Sequence, residues 1–240
     1  MKKILLVSGC SFTTNDFRSV WHPDMVCDWK KWPQLLAEKL DMDCINLAQS
    51  GAGNEFIYST IIDQIETLDK SKIGLVIPAW SQCHRRDYQI HYSRSNKTVW
   101  RHEMFDKFGD VKYWIKKSFR FYNSFQKYCE YYKIPYKQIQ MIELYKDHIR
   151  KKSEQQLMSW KDIQKEREKY DEFAKSLVYY NELKNFLGGN PKIIESLQDD
   201  LVDKKNGGNR HEKWFAISSL DSHPSKNGHK LIADYIYENL

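Results

Sequence analysis

Apolar positions along the chain follow two rhythms that alternate. Ile4–Ser8 is apolar up to its last residue and too short for a helix, which predicts a buried strand. Trp32–Leu40, WPQLLAEKL, follows the helical period: Leu35, Leu36 and Leu40 share one side, and Pro33 stands in the first turn, where its missing N–H is not needed. Cys44–Ala48 predicts a second strand. Glu55–Leu68 carries Ile57, Ile61, Ile62 and Ile65 at helical spacing and predicts an amphipathic helix. Ile73–Trp80 is almost wholly apolar, the pattern of a central strand in a parallel sheet covered on both faces.

The second half is more polar. Residues 84 to 110 read as irregular. Tyr113–Tyr132 predicts a helix, and Tyr136–Ile142, after Pro135, a fourth strand. Residues 154 to 186 read as helical and exceed an ordinary crossover, which predicts an inserted helical hairpin. Lys205–Arg210, KNGGNR, reads as a flexible loop, and Lys213–Ser218 as a fifth strand. A last helix begins near Ser225, its N-cap, with Leu231, Ile232, Tyr235 and Ile236 facing inward. This alternation predicts an α/β fold on a parallel sheet. It also predicts one domain over residues 1–240, with 143–212 as a helical insertion or lid before the last strand.

Composition narrows the class. An apolar fraction of 41% beside 29% charged residues fits a soluble globular chain, and every apolar run is too short to span a bilayer. Met1-Lys2-Lys3 and the apolar stretch after it resemble the start of a signal peptide, but that stretch ends at Gly9 without an adequate hydrophobic region. Five scattered cysteines (Cys10, Cys27, Cys44, Cys83, Cys129) are odd in number and lack metal-ligand spacing, so a reducing, cytoplasmic setting is expected. The net charge of +6 lies largely in Lys112–Lys117 and Arg150–Lys152, where solvated helix faces explain it. Nothing else in the sequence strongly supports a nucleic-acid partner.

The candidate chemistry lies at the carboxyl ends of the strands, where open α/β sheets bind ligands. Gly9-Cys10-Ser11 follows the first strand, the loop with Gly51 and Asn54 the second, Trp80-Ser81-Gln82 the third, and Asp221 to His229, DSHPSKNGH, the fifth. Acyl transfer needs such a set. A serine hydroxyl is a weak nucleophile until a base takes its proton, and His223 is that candidate base, with Asp221 to orient it. Backbone N–H groups of Ser11 and Gly51 and the Gln82 amide are candidate donors to the oxyanion. Each residue also has a plainer reading: Ser11 and Gly51 as turn residues, Asn54 as a helix cap, Gln82 as a loop residue and His229 as a packing or surface residue. Arg85 and Arg86 are candidates to bind an anionic substrate group or to form surface ion pairs. Trp32 and Trp80 read as core, with Trp80 also a candidate cleft residue, while Trp21 and Trp29 are candidates for a sugar-stacking wall. His84, Asp87 and His91 match no justified metal site and read as a polar loop.

SGCSFT, WPQLLAEKL leading to NLAQSGAGN, VIPAWSQ and DSHPSKNGH together resemble the SGNH/GDSL hydrolases, particularly their short, divergent phage-encoded members. The resemblance covers about the first 80 and last 30 residues. It implies a three-layer α/β/α, flavodoxin-like fold with a five-stranded parallel sheet. It also implies metal- and cofactor-free hydrolysis, or less often transfer, of acyl groups on small esters. Carried over by position, Ser11 is the nucleophile, Gly51 an oxyanion donor, Gln82 stands in the place of an Asn, and His223 is the base. Three positions depart from the pattern: Cys10 replaces an Asp, Gln82 replaces that Asn, and Asp221 precedes His223 by two residues rather than three. The resulting expectation is a serine esterase acting on an O-acyl, especially acetyl, group of a sugar or other small molecule. An acyltransferase, or a catalytically degenerate binding or structural protein of a phage, are the alternatives.

Overall fold

The structure is a computed structural model that describes residues 2–93, 95–145, 148–149, 153–154, 156–188, 192–198, 201 and 215–240. Five parallel strands form the central sheet: β1 (Ile4–Ser8), β2 (Asp43–Asn46), β3 (Ile73–Trp80), β6 (Gln138–Gln140) and β7 (Phe186–Leu187). Their order is β2-β1-β3-β6-β7, so the direction of winding reverses between β1 and β3. Leu6 pairs with Ile45 on one side and Val76 on the other, which leaves β1 covered on both edges.

Helices cover both faces of this sheet. Helix α1 (Trp32–Leu40) packs against the last helix, α6 (Lys226–Glu238). Helix α2 (Asn54–Thr67) packs on β1 and β3 and against the long α3 (Val111–Tyr132). The helical period of the sequence is visible in the burial: Ile57, Ile61 and Ile65 of α2 and Leu36, Ile232 and Ile236 of α1 and α6 are fully buried. Each such side chain contributes about 1.5–3 kcal/mol over an exposed one. Ser225 caps α6 by accepting from Gly228 N at 3.2 Å. His229, on α6, accepts from Trp32 N at 3.2 Å and so satisfies a free N–H at the start of α1.

Three expectations are corrected. Residues 84 to 110 are not irregular but hold an antiparallel hairpin, β4 (Arg86–Tyr92) and β5 (Lys97–Glu103). Its strands are polar and half-exposed, so they lack the apolar signature of the sheet. The helical stretch 154 to 186 is not a hairpin of two comparable helices: α4 (Trp160–Ser176) breaks at Leu177 and continues as the short α5 (Val178–Glu182), both packed on α3. The fifth strand is Phe186–Leu187, and of Lys213–Ser218 the described residues make only an isolated antiparallel bridge, Ala216 to Pro224. Two residues carry no periodicity, which is why the true strand was silent. The Lys205–Arg210 loop, the Arg150–Lys152 run and residues 213–214 lie outside the described residues.

Candidate active site

The chain leaves β1 into a tight turn. Thr13 N and Thr14 N both donate to the Cys10 carbonyl, at 2.8 and 3.1 Å. Gly9 is required by crowding, since a Cβ there would lie 2.6 Å from Thr13 Oγ1. Cys10 is buried in the core, and Ser11 lines the cavity above the sheet. Opposite it, Ile217 N donates to the His223 carbonyl at 2.9 Å and Ser225 N to the Phe215 carbonyl at 2.7 Å. This narrow loop ahead of α6 delivers Asp221 and His223.

His223 Nε2 lies 2.8 Å from Ser11 Oγ, and its Nδ1 lies 2.6 Å from Asp221 Oδ1. The short Asp221–His223 spacing works because the His223 backbone N–H also donates to Oδ1, at 3.1 Å, closing an Asx turn. Ser19 Oγ donates to the other carboxylate oxygen, Oδ2. Phe17 stacks on the His223 ring at 4.2 Å and Phe12 packs tilted against it at 4.6 Å. Burial raises the Asp221 pKa, but hydrogen bonds from His223 and Ser19 outweigh it and bring the carboxyl down to about 2. An ionised Asp221 holds the proton on Nδ1, which leaves Nε2 to accept from Ser11 Oγ. Ser19 and Phe17 were invisible in the sequence: they sit in the long loop before α1, which has no regular pattern.

The loops after β2 and β3 form the facing wall. Gly51 has φ +83°, in the left-handed region that a side chain disfavours, and it lines the cavity beside Ser11 and Gln82. Arg85 is buried, donates from Nε to Gln82 Oε1 at 2.9 Å and from a terminal nitrogen to the Ala52 carbonyl at 3.0 Å, and lines the same cavity. It forms neither of the two arrangements expected from sequence in full: it borders the cavity, yet these hydrogen bonds go to neutral oxygens of the protein.

Asn54 does not cap α2, contrary to expectation. Its Nδ2 donates to Ser81 O, Ser118 Oγ and Tyr122 OH, at 3.2, 3.0 and 3.3 Å, and its Oδ1 accepts from Ser81 N at 2.8 Å. It thereby locks the start of α2 to the end of β3 from below the cavity rather than lining it. The cap comes from Asp87 on β4: Oδ1 accepts from Gly53 N and Oδ2 from Phe56 N, both at 2.9 Å, while His102 Nδ1 lies 2.8 Å from Oδ1. The hairpin called irregular therefore braces the Gly51 loop, and the Asp87 reading as one member of a polar loop is corrected. Trp80 is fully buried, stacked on Tyr122 at 4.4 Å and bonded to Gln138, so it is core and not a cavity residue. Trp21 is exposed and Trp29 lies under the Lys31 ammonium at 4.6 Å; neither lines the cavity, so no stacking wall forms there.

The cavity has a volume of about 680 Å³, within the range of small-molecule sites. Ser11, His223, Gly51 and Gln82 are among its lining residues. Ile149, Trp160, Ile163 and Ile194 contribute apolar surface from the segment between β6 and α6, and Arg167 of α4 pairs with Glu195 at the rim.

Ser11, His223 and Asp221 thus meet at the winding reversal of a parallel sheet, and the fold that brings them together is similar to those of solved structures. A protein of the G-D-S-L lipolytic family from Desulfitobacterium hafniense DCB-2 matches with TM-score 0.50 and 14% identity over 100% of both chains. The psychrotrophic esterase EstA from Pseudoalteromonas sp., in a structure inhibited by monoethylphosphonate, matches with TM-score 0.50 and 12% identity, covering 99% of this chain and 96% of its own. No family model matches the sequence, and no curated protein matches it either. The chain has an SGNH/GDSL-hydrolase-like fold, with helices on both sides of a five-stranded parallel sheet.

Proposed function

We propose that the protein is a serine esterase that cleaves an ester of a small molecule through an acyl-enzyme. The observation that carries this reading is the unbroken chain of hydrogen bonds from Ser11 Oγ through both nitrogens of His223 to Asp221. Ser11 Oγ attacks the ester carbonyl while His223 Nε2 takes its proton. The carbonyl π bond opens, and the oxyanion accepts from Ser11 N–H, Gly51 N–H and the Gln82 amide. The tetrahedral intermediate collapses, the C–O bond to the alcohol breaks, and His223 returns the proton to that leaving group. A water molecule, deprotonated by His223, attacks the acyl carbonyl; the bond from that carbon to Ser11 Oγ then breaks, His223 returns the proton to Oγ, and the carboxylic acid leaves. Asp221 stays ionised and stabilises the imidazolium.

The ester's non-reacting part packs against the apolar lining of Ile149, Trp160, Ile163 and Ile194. An acetyl group alone is far smaller than about 680 Å³, so acetyl esters are substrates only where a larger alcohol, such as a sugar, fills the remaining space. Ile149, Trp160, Ile163 and Ile194 form an apolar roof over part of this cavity. The odd number and scattered spacing of the cysteines support a reducing, cytoplasmic setting.

The test is steady-state and pre-steady-state hydrolysis of p-nitrophenyl esters. The reading predicts an initial burst of nitrophenolate, approaching one equivalent per active site, followed by slower turnover. Ser11→Ala and His223→Ala lose both while remaining folded. Equal activity in the wild type and Ser11→Ala would overturn it.

A further inference from the structure

A glutamine is an unusual choice for a preorganised donor. Its terminal amide torsion is broad, and the amide offers an acceptor oxygen as readily as a donor nitrogen. An oxygen turned toward a developing oxyanion would repel it. Something must therefore hold Gln82 in the donor orientation.

Arg85 is a cation bonded to that amide. A guanidinium donates and never accepts, so the group that faces it must be Gln82 Oε1, as observed at 2.9 Å. Nε2 is then directed along the other branch of the amide. Arg85 also donates to the Ala52 carbonyl at 3.0 Å, next to Gly51. One planar group thus ties together the two loops, after β2 and after β3, that carry the Gly51 and Gln82 donors. Gln82 and Arg85 are both buried, at 3% and 7% exposure, so the bonds lie where solvent screens them little.

We propose that Arg85 is the positioning residue of the oxyanion hole. It fixes the Gln82 amide with Nε2 toward the reacting carbonyl, polarises that N–H by drawing on Oε1, and sets the distance between the Gln82 and Gly51 donors. This rests on the serine-esterase reading above. A lysine cannot replace it, because an ammonium on a flexible stem does not span both acceptors in one plane.

The experiment compares wild type, Gln82→Ala, Arg85→Met, Arg85→Lys and the double variant Gln82→Ala/Arg85→Met on a p-nitrophenyl ester, with thermal unfolding measured for each. Losing one oxyanion donor lowers kcat by about 10²–10³, and Arg85→Met is expected to lose roughly 10- to 100-fold in kcat with KM nearly unchanged. Arg85→Lys is expected to lose about tenfold, again in kcat, and serves if the methionine variant does not fold. In the double variant the losses do not multiply, because Arg85 acts through Gln82. Wild-type kcat in a folded Arg85→Lys or Arg85→Met would overturn the proposal, as would fully multiplicative losses. A wild type without esterase activity would overturn the esterase reading itself, and this inference with it.

Discussion

Asp221 shows how a single residue can be read in the sequence while its environment cannot. The Asp-x-His spacing looked one residue short, and the structure recovers the geometry by letting the same carboxylate oxygen accept from both the His223 ring and its backbone. Asp221→Asn keeps the shape but inverts the preferred tautomer, presenting N–H instead of a lone pair to Ser11. It is expected to lower kcat by on the order of 10⁴ with little change in KM, read in the p-nitrophenyl ester assay. His229 carries a second prediction, about stability. Burial, with smaller contributions from the nearby Lys31 and His223 charges, pushes its pKa down to about 3, from 6.5, and its Nδ1 accepts from Trp32 N inside the protein. The unfolded chain binds a proton at 6.5 and the folded chain does not. This contribution to stability is therefore whole above pH 6.5 and is lost as the pH falls toward 3. The slope approaches about 1.4 kcal/mol per pH unit between those limits. Urea unfolding from pH 7.5 to 4 should show that slope in the wild type and a shallower one in His229→Gln. The sequence could mark His229 as a packing residue, but its acceptor role depends on Trp32, nearly two hundred positions away.

At the scale of elements, the sheet and the two flanking helices before residue 80 were legible because each carries an unbroken period of its own. The β4–β5 hairpin was not, since its work is polar: Asp87 caps α2 while His102 supports the carboxylate. Removing that carboxylate strands two backbone N–H groups at the start of α2 and unseats the Gly51 loop. Asp87→Ala is expected to destabilise the protein by about 2–3 kcal/mol in urea unfolding and to reduce ester hydrolysis as well. Helix α4 makes a different contribution. Trp160 and Ile163 supply apolar surface to the cavity, and neither touches the Ser11–His223 chain in any described hydrogen bond or ring contact. Ile163→Trp narrows the cavity. It is expected to depress kcat/KM for esters of long acyl chains or bulky alcohols several-fold more than for p-nitrophenyl acetate, measured across a chain-length series. A roof that has no part in binding would show the same ratio for every ester.

Over the whole molecule, the two ends of the chain bring Ser11, His223 and Asp221 together, and described residues of the middle, among them Ile149, Trp160, Ile163 and Ile194, line the cavity beside them. Ser11 and His223 are 212 positions apart, yet the winding reversal between β1 and β3 and the packing of α6 on α1 bring them within one hydrogen bond. The meeting of the terminal blocks was readable because each follows a strand end or precedes the last helix in the chain order. Phe186–Leu187 and the position of the roof were not, because short edge strands and polar helices are placed by tertiary contacts rather than by local pattern. The account stands or falls on whether Ser11 is an activated nucleophile. The most direct measurement is intact mass after treatment with a fluorophosphonate, beside Ser11→Ala and His223→Ala. The account predicts a single phosphonyl adduct, with loss of fluoride, on the Ser11 peptide of the wild type. It predicts none in Ser11→Ala and a strongly slowed reaction in His223→Ala. A folded wild type that stays unmodified, or an adduct that persists in Ser11→Ala, would contradict it.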